Sequence, residues 1–587
     1  MKRFISRLQG ELEQAFVKAG YEAQYGRVSL SNRPDLCEFQ CNGAMACAKQ
    51  YKKAPIVIAN EVLAQLEGSS VFASLEAVMP GFINIKAAEA EVAAYLQEME
   101  QDEELSLEKA AEPETIVIDF GGANVAKPLH VGHLRSAIIG EAVKRIARRK
   151  GHRVIGDAHL GDWGLQMGLI ISWLEQEKPQ LPYFTAAAAG SYPQEAPFTI
   201  DELERIYPQA SALSKEETDE GRAFREKALT ATALLQDGHP GYRALWQHII
   251  NVSIADLKKN YDRLNVDFDW WKKESDAQKY IPDMVTYLKD NGYARYDQGA
   301  LVVDVKEETD TKEIPPCMIL KSNGSSLYNT TDLATMIERR ELVDPDRIIY
   351  VVDKRQSLYF EQVFRAAKKT KILDSKTDLF FLGFGTMNGK DGKPFKTRAG
   401  GVMRLENLIS EINEAMLAKI NENRQLPEAE ALRTAEQIGL AAVKYGDLSN
   451  QASKDYIFDV ERFTSFEGNT GPYILYTMVR IKSILTKYDG PHTAVAAATG
   501  DSEKALQLVL TRFNEMLDTA YEELAPHKIC AYIYELANAF NKYYHETKIL
   551  GEPDEAVRAS RIALLQLTLR VFELCIDTLG FEAPERM

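Results

Sequence analysis

Two histidines three residues apart, His130 and His133, close a stretch rich in small and polar residues that begins at Asp119. At a helix start this spacing lets two imidazoles present donors together. Free backbone N–H groups and the positive end of the helix dipole also favour an anion there. Gly132, between them, removes a side chain and lets a flat ring or a phosphate approach the backbone. Lys127 adds a positive charge suited to a pentavalent phosphorus. The segment Ala123, Asn124, Val125, Ala126, Lys127, Pro128, Leu129, His130, Val131, Gly132 and His133 therefore reads as a nucleotide-binding loop. Lys127, His130, Gly132 and His133 are its chemical residues. Two plainer readings stand beside this one: a Gly/Pro loop with incidental histidines, and a metal pair. A zinc pair would call for H-E-x-x-H or nearby acidic or cysteine ligands, and the pattern has neither.

A second basic loop spans residues 383–401. It holds six glycines, with Lys390, Lys393, Lys396 and Arg398 against only Asp391, a local balance of +3. Glycines permit mobility and positive φ, and the cations suit a triphosphate that must be clamped and released. Alone, such a loop also fits a solvated hairpin. Paired with the histidine segment, it points to nucleotide chemistry, with Lys393 and Lys396 as catalytic candidates and Arg398 as an ATP contact.

The elements that must position these loops follow from periodicity. Ile116-Val117-Ile118 reads as a short apolar strand, and a helix is expected from about His133 to Lys150, with Leu134, Ile138, Val143 and Ile146 on one face and Gly151 as the stop. Val154 opens the next strand. This βαβ unit seeds a parallel sheet with sites at the strand C-termini. The alternation resumes with a helix over Thr331–Leu342, a strand over Arg347–Val352, a helix over Leu358–Lys369 and a strand over Leu379–Gly383. The polar stretch of about 180–290 reads as an insertion, and from Glu430 onward the periodicity is helical, as in a bundle. Residues 1 to about 110 read as a small mixed domain, followed by a charged linker, Gln101–Glu114.

Composition sets the limits. The 587 residues carry 70 basic and 86 acidic side chains, a net charge of −16, with 45% hydrophobic and 27% charged residues. That is ordinary globular composition with several domains. The acidic total argues against nucleic acid, whose binding draws on basic surface, but local charge tells a different story. Lys144, Arg145, Arg148, Arg149, Lys150 and Arg153 crowd one helix end, which suits either RNA contact or dipole complementation. Six cysteines are too few for a disulfide scaffold; Cys37, Cys41 and Cys47 lack zinc-type spacing and read as reduced thiols. No signal-peptide core and no run of ~18 apolar residues is present, so a soluble cytoplasmic protein is expected.

The histidine segment resembles the HIGH motif of class I aminoacyl-tRNA synthetases, in the form His130-Val-Gly-His133. The surrounding Asn124-Val-Ala-Lys-Pro-Leu-His-Val-Gly-His-Leu-Arg-Ser-Ala-Ile-Ile-Gly140 is similar to arginyl-tRNA synthetases of bacterial type. So are Gly161-Asp-Trp-Gly-Leu-Gln166, Tyr328-Asn-Thr-Thr-Asp332 and Ala583-Pro-Glu-Arg-Met587. The resemblance runs over the whole chain. It departs at the second family signature, KMSKS, in whose place stands Lys393-Pro-Phe-Lys396-Thr-Arg398. Which lysine meets phosphate is thereby left open, and Lys127 is a candidate to share that duty.

The resemblance implies an α/β fold: a Rossmann-like class I synthetase catalytic domain with insertions, an N-terminal α+β domain and a C-terminal all-α helix-bundle anticodon-binding domain. It divides the chain into an N-terminal tRNA-binding domain (1–110), the catalytic domain (111–385, insertion at about 180–290), the KMSKS-type loop with a connecting helical segment (386–440) and the anticodon-binding domain (441–587). It implies that L-arginine, ATP and tRNA(Arg) meet in a single-chain enzyme. Magnesium is expected with ATP, and no structural metal. A guanidinium site calls for carboxylates or amide oxygens in a planar fork. By resemblance, Asp332 takes the guanidinium, Tyr328 and Gln356 flank it, and Asn124 and Asp119 serve the amine or carboxylate end. Residues 441–587 carry 15 basic and 21 acidic residues, but single-stranded RNA is held by stacking plus a few cations. Tyr473 and Tyr476 are possible stacking residues there.

Overall fold

The computed structural model describes residues 3–185, 192–393, 403–423 and 426–587. Lys396 and Arg398 lie outside the described residues. The chain packs as two compact units. One comprises Ala111–Thr464 with Leu579–Phe581; the other comprises Met1–Ala110, Ser465–Thr578 and Glu582–Met587.

The first unit is built on a parallel sheet. Its elements are β1 (Thr115–Asp119), α1 (Val131–Arg149), β2 (Arg153–Asp157), α2 (Tyr328–Val343), β3 (Arg347–Asp353), α3 (Ser357–Lys369) and β4 (Asp378–Phe384). The strand order is β4-β3-β1-β2, all parallel, with Ile349 opposite Ile118 and Val117 opposite Ile155. Ile116, Val117 and Ile118 are fully buried, as expected of a strand covered on both faces, where β-branched side chains pack well. The chain leaves β1 toward β2 on one side and returns as β3 on the other, so a crevice opens at the strand C-termini.

The stretch read as an insertion folds as helices Ile200–Leu213, Asp219–Gln236 and Pro240–Arg263, packed with the preceding helix Leu165–Glu177 around Leu169, Ala210, Phe224 and Ala228. Its return is part of the sheet. Ala158 N–H bonds the Trp270 carbonyl (3.0 Å), Leu160 N–H that of Lys272 (2.8 Å), and Glu274 N–H that of Leu160 (3.0 Å). The insertion read from the sequence as ending near 290 thus contributes an irregular edge beside the end of β2 from about residue 269.

The cationic end of α1 is spoken for internally. Lys144 is fully buried against Glu141 (2.8 Å) and Asp267, Arg145 pairs with Glu141 (2.6 Å), and Arg148 pairs with Asp269 (2.7 Å). Two of the six cations offered as an RNA contact, Lys144 and Arg148, therefore hold α1 to the insertion's return, and Arg145 is engaged within the helix itself. For Lys144 burial is the reason, since a buried cation is retained only with a partner.

In the second unit an antiparallel sheet (Val28–Leu30, Phe39–Cys41, Phe82–Ala87, Phe72–Val78) packs with the helices Phe4–Lys18, Pro55–Leu63 and Glu89–Glu100. Cys37, Cys41 and Cys47 are buried free thiols. Five C-terminal helices, from Gly471–Leu485 to Glu555–Leu579, complete the unit. Ion pairs join its parts: Arg3 to Asp518 (2.7 Å), and Lys504 to both Glu38 and Glu89 (2.8 Å each).

One glycine sets how closely α1 approaches the sheet. A Cβ on Gly140 would lie 2.2 Å from the ring of Phe120, just past the end of β1, and Phe120 is itself buried. Two effects oppose each other in Gly140→Ala: the helix gains about 1 kcal/mol of propensity, while overpacking a core costs about 1–3 kcal/mol. With backbone on one side and a buried ring on the other, overpacking wins. Gly140→Ala is expected to lower stability in urea denaturation by about 1 kcal/mol or more, and Phe120→Leu in the same chain to recover part of that loss.

Candidate active site

The histidine segment forms the first turn of α1 and the loop before it. His130 is the N-cap: its Nδ1 accepts from Gly132 N–H (3.0 Å), while His133 Nδ1 accepts from His130 N–H (3.2 Å). The two rings lie 3.9 Å apart. With both Nδ1 atoms accepting, each neutral ring carries its proton on Nε2 and is a donor there. Burial, with His130 and Lys127 adding to it, pushes His133 down to about 3. Burial and Lys127 also lower His130. Both rings are therefore neutral donors at neutral pH. Gly132 is required for a reason the sequence reading did not foresee: a Cβ there would lie 2.7 Å from the ring of His130 itself.

The loop ahead of the histidines is held on both sides. Val125 N–H bonds the Gly161 carbonyl (3.0 Å), and Gly161 N–H bonds that of Ala123 (3.1 Å). Ala126 sits in the left-handed region at φ +62°, with its N–H on Ser253 Oγ (2.8 Å). A non-glycine residue in that region costs roughly 1–2 kcal/mol, a local strain of the kind that collects at functional sites. Lys127 does not wave free: its ammonium rests 4.3 Å from the centre of the Tyr207 ring, on an insertion helix. Asn124 is exposed.

The stem of the cationic loop follows β4. Met387 and Asn388 pair in parallel with Tyr456 and Ile457. A tight turn then closes with Gly389 N–H on the Lys393 carbonyl (2.8 Å), which leaves Lys393 exposed. Beyond the loop, the Met403 carbonyl accepts from Val131 N–H (3.1 Å), and Leu405 N–H bonds the Leu129 carbonyl (2.9 Å). The far end of the loop is thus tied to the residues flanking His130.

Carboxylates gather along the same sheet edge. Asp119 and Asp157, the last residues of β1 and β2, share one guanidinium nitrogen of buried Arg339, at 2.6 and 2.7 Å. Asp119, expected at the amine end of the substrate, keeps 16% of its side chain exposed. His159 lies 3.7 Å from Asp157 and is held up to about 9, where Asp157 outweighs burial. Asp332, on the first turns of α2, accepts a short hydrogen bond from Tyr359 Oη, and burial pushes its carboxyl up to about 6. Tyr328, one turn earlier, is 69% exposed. Its phenol is raised by partial burial first and then by the charges of Glu274 and Tyr207. Gln356, at the end of the short helical turn before α3, is exposed.

Glu274 is the residue the sequence reading missed. It opens a 3-10 helix directly after the insertion's return. Burial pushes its carboxyl up to about 7, with Asp162 and Asp332 adding and His159 opposing. It therefore shares one electrostatic neighbourhood with Asp332. No local motif marks it; the only sequence signal was an acidic residue closing a polar stretch, Lys272-Lys273-Glu274. More than 110 residues separate it from its neighbour Leu160.

Comparisons with known proteins identify the family. The class I (R) tRNA synthetase catalytic domain matches residues 95–460, the DALR anticodon binding domain residues 474–587, and the arginyl tRNA synthetase N-terminal domain residues 2–87. An arginine--tRNA ligase of Agathobacter rectalis is 61% identical over the whole of both chains, and one of Alkaliphilus oremlandii is 57% identical, again over both in full. Among solved structures, the arginyl-tRNA synthetase of Plasmodium falciparum shares the fold over all of both chains, with a TM-score of 0.81 at 23% identity. That of Thermus thermophilus covers 99% of this chain and all of its own, with a TM-score of 0.77 at 22% identity. The catalytic-domain match over most of the chain and the full-length relatives make the chain a member of the class I arginyl-tRNA synthetases.

Proposed function

We propose that this chain activates L-arginine with ATP and passes it to the 3′-terminal ribose of tRNA(Arg), with the site residues acting as follows. One observation carries the assignment of roles. A pair of neutral imidazole donors stands at the N-terminus of α1, and along the same sheet edge lie two acidic side chains, Glu274 and Asp332, that form no ion pair among the described residues.

The substrate guanidinium pairs directly with these two carboxylates, in the planar, several-donor geometry a pair of carboxylates suits. Tyr328 and Gln356 flank it. Asp119, with Asn124, takes the amine end. In the first step the arginine carboxylate oxygen attacks the α-phosphorus of ATP, the bond to the bridging oxygen breaks, and pyrophosphate leaves. Charge builds on phosphate oxygens, and the Nε2–H groups of His130 and His133 and the N-terminal dipole of α1 meet it. Lys127 moves from the face of Tyr207 to phosphate, and Lys393, Lys396 and Arg398 serve the pyrophosphate end. In the second step a ribose hydroxyl attacks the arginyl carbonyl and AMP leaves. No protein nucleophile is needed, since catalysis rests on positioning and charge. Magnesium belongs with the nucleotide. On this reading the ion is bound through phosphate and water.

The second unit offers a surface for RNA. Tyr476 and Tyr544 are 42% and 38% exposed, and the Arg480 guanidinium lies over both rings, at 4.9 and 5.1 Å. Tyr473 Oη donates to Asn538 (2.9 Å), and Arg480 donates to Asn541 (2.6 Å). Exposed rings with a planar cation and amide groups suit unstacked bases. This patch lies in the part matched by the anticodon binding domain. The working unit on this reading is a single chain in the cytoplasm; no described helix is long and apolar enough to cross a membrane.

Arginine-dependent exchange of pyrophosphate into ATP, with and without tRNA, tests the activity directly. His133→Ala is expected to lower exchange by about 100- to 1,000-fold, the scale for losing one preorganised donor; an unchanged rate would point to a chain that binds RNA without catalysis. The pH dependence follows from the raised carboxyls. The guanidinium needs ionised Glu274 and Asp332, so KM for arginine should be flat at alkaline pH and rise as pH falls through about 7 and then about 6. In Asp332→Asn that rise should lose its lower step, and KM should be raised even at pH 8. For the RNA surface, Tyr476→Ala should raise KM for tRNA by about tenfold, from the ~1–3 kcal/mol of a lost stacking contact, with little change in turnover at saturating tRNA.

A further inference from the structure

Arg135, two residues past His133, is 1% exposed. Its Nε donates to Asp447 Oδ2 (3.0 Å), and its Nη1 donates to two carbonyls, Gly385 (2.7 Å) and Lys454 (3.0 Å). The guanidinium also lies 5.0 Å from the Tyr456 ring centre and 6.0 Å from that of Phe384. Tyr456 Oη in turn donates to the same Asp447 oxygen (2.8 Å). Those two carbonyls stand at the base of the cationic loop's stem: Gly385 follows β4 directly, and Lys454 precedes the strand that Met387 and Asn388 pair with. Around them the stem is closely fitted. Gly385 N–H bonds the Ala452 carbonyl (2.9 Å), Tyr456 N–H that of Thr386 (3.1 Å), and Thr386 N–H bonds Asp455 Oδ1 (2.7 Å). A Cβ on Gly385 would lie 2.5 Å from the Lys454 carbonyl group.

Stability alone does not account for this arrangement. A buried ion pair is commonly matched or bettered by apolar side chains of similar volume, because desolvation offsets the attraction. What a guanidinium supplies and a methionine does not is direction: three donors in one plane fix a carboxylate and two carbonyls at set angles. The element so fixed is the α1 turn that carries His130 and His133. The far end of the loop is tied to the same turn by backbone bonds at Leu129 and Val131.

We propose that Arg135 is a positioning residue for the phosphate end of ATP: its buried fork, braced by Asp447 and Tyr456, sets the stem that leads to Lys390 and Lys393 in register with the histidine pair. The inference rests on the loop's role given under Proposed function. It separates the two ends of the site, since no Arg135 contact involves Glu274, Asp332, Tyr328 or Gln356.

The test is steady-state pyrophosphate exchange by the full chain with tRNA present, reading KM for ATP and for arginine separately. Arg135→Met with Asp447→Leu removes both charges together, so its melting temperature should stay within a few degrees of the parent. KM for ATP should nevertheless rise tenfold or more, with KM for arginine within twofold. Arg135→Lys, which keeps the charge without the fork, should fall between the two. Tyr456→Phe, which removes one hydroxyl from a buried ring, should raise KM for ATP about threefold. The inference is overturned if the double variant keeps the parental KM for ATP, or if both KM values rise together. Should the double variant fail to fold, an unchanged KM for ATP in Tyr456→Phe overturns it alone. If the parent shows no arginine-dependent exchange, the proposed function fails instead. Equilibrium binding of ATP to the parent and to Tyr456→Phe then still decides the role of Arg135.

Discussion

Where α1 begins, relative to the ends of β1 and β2, governs the geometry of the catalytic unit. The start is set by a cap made of the same side chains to which we assign the nucleotide: His130 closes the turn on Gly132, and His133 closes back on His130. Capping satisfies N–H groups that would otherwise be orphaned, and here it also dictates the chemistry. An imidazole whose Nδ1 accepts from the backbone has only Nε2–H left to offer, so cap and donor are one arrangement. Gly132 and Gly140 make it possible from opposite sides, one by admitting the His130 ring and the other by admitting Phe120. Both ends of the cationic loop are then referred to this turn, by the Arg135 fork and by backbone bonds at Leu129 and Val131.

The pocket we propose for the substrate rests on a different principle, the sorting of carboxylates into paired and unpaired. Asp119 and Asp157 are held by the internal guanidinium of Arg339, and Asp157 also sustains a charged His159. Glu274 and Asp332 form no ion pair among the described residues, and burial raises both against the opposing charge of His159. A pocket of this kind is under-compensated until a cation enters it. The protein's own Arg339 occupies the position at the strand ends, and the second position, beside Glu274 and Asp332, is the one we propose for the substrate guanidinium.

Charge at the whole-chain level is a poor guide to partners. A net −16 coexists with a cationic loop, and the cations of α1, the most conspicuous basic run in the sequence, are consumed in part by Glu141, Asp267 and Asp269. The surface we assign to RNA is built instead from Tyr473, Tyr476, Tyr544 and Arg480, with amide groups beside them. Stacking of this type depends little on net charge, and an acidic remainder limits non-specific attraction to other polyanions.

Local pattern was enough for much of this. The apolar triplet Ile116–Ile118, the periodicity from Leu134 to Ile146 and the alternation between Thr331 and Gly383 determine a parallel α/β sheet, and the motif residues between Asn124 and Gly140 determine the family, because strand and helix periods and caps are short-range properties. Which of two chemically similar side chains is free and which is occupied was not legible. Lys144 and Arg148 look like ligands for phosphate until Asp267 and Asp269 return beside them. Glu274 looks like a solvated acid until the insertion closes against Leu160. Arg135 looks like one more surface cation until Gly385, Asp447 and Lys454 converge on it from more than 240 residues away. Elements and chemical inventory are written in local pattern, whereas partner, burial and protonation depend on groups that only long-range packing brings close.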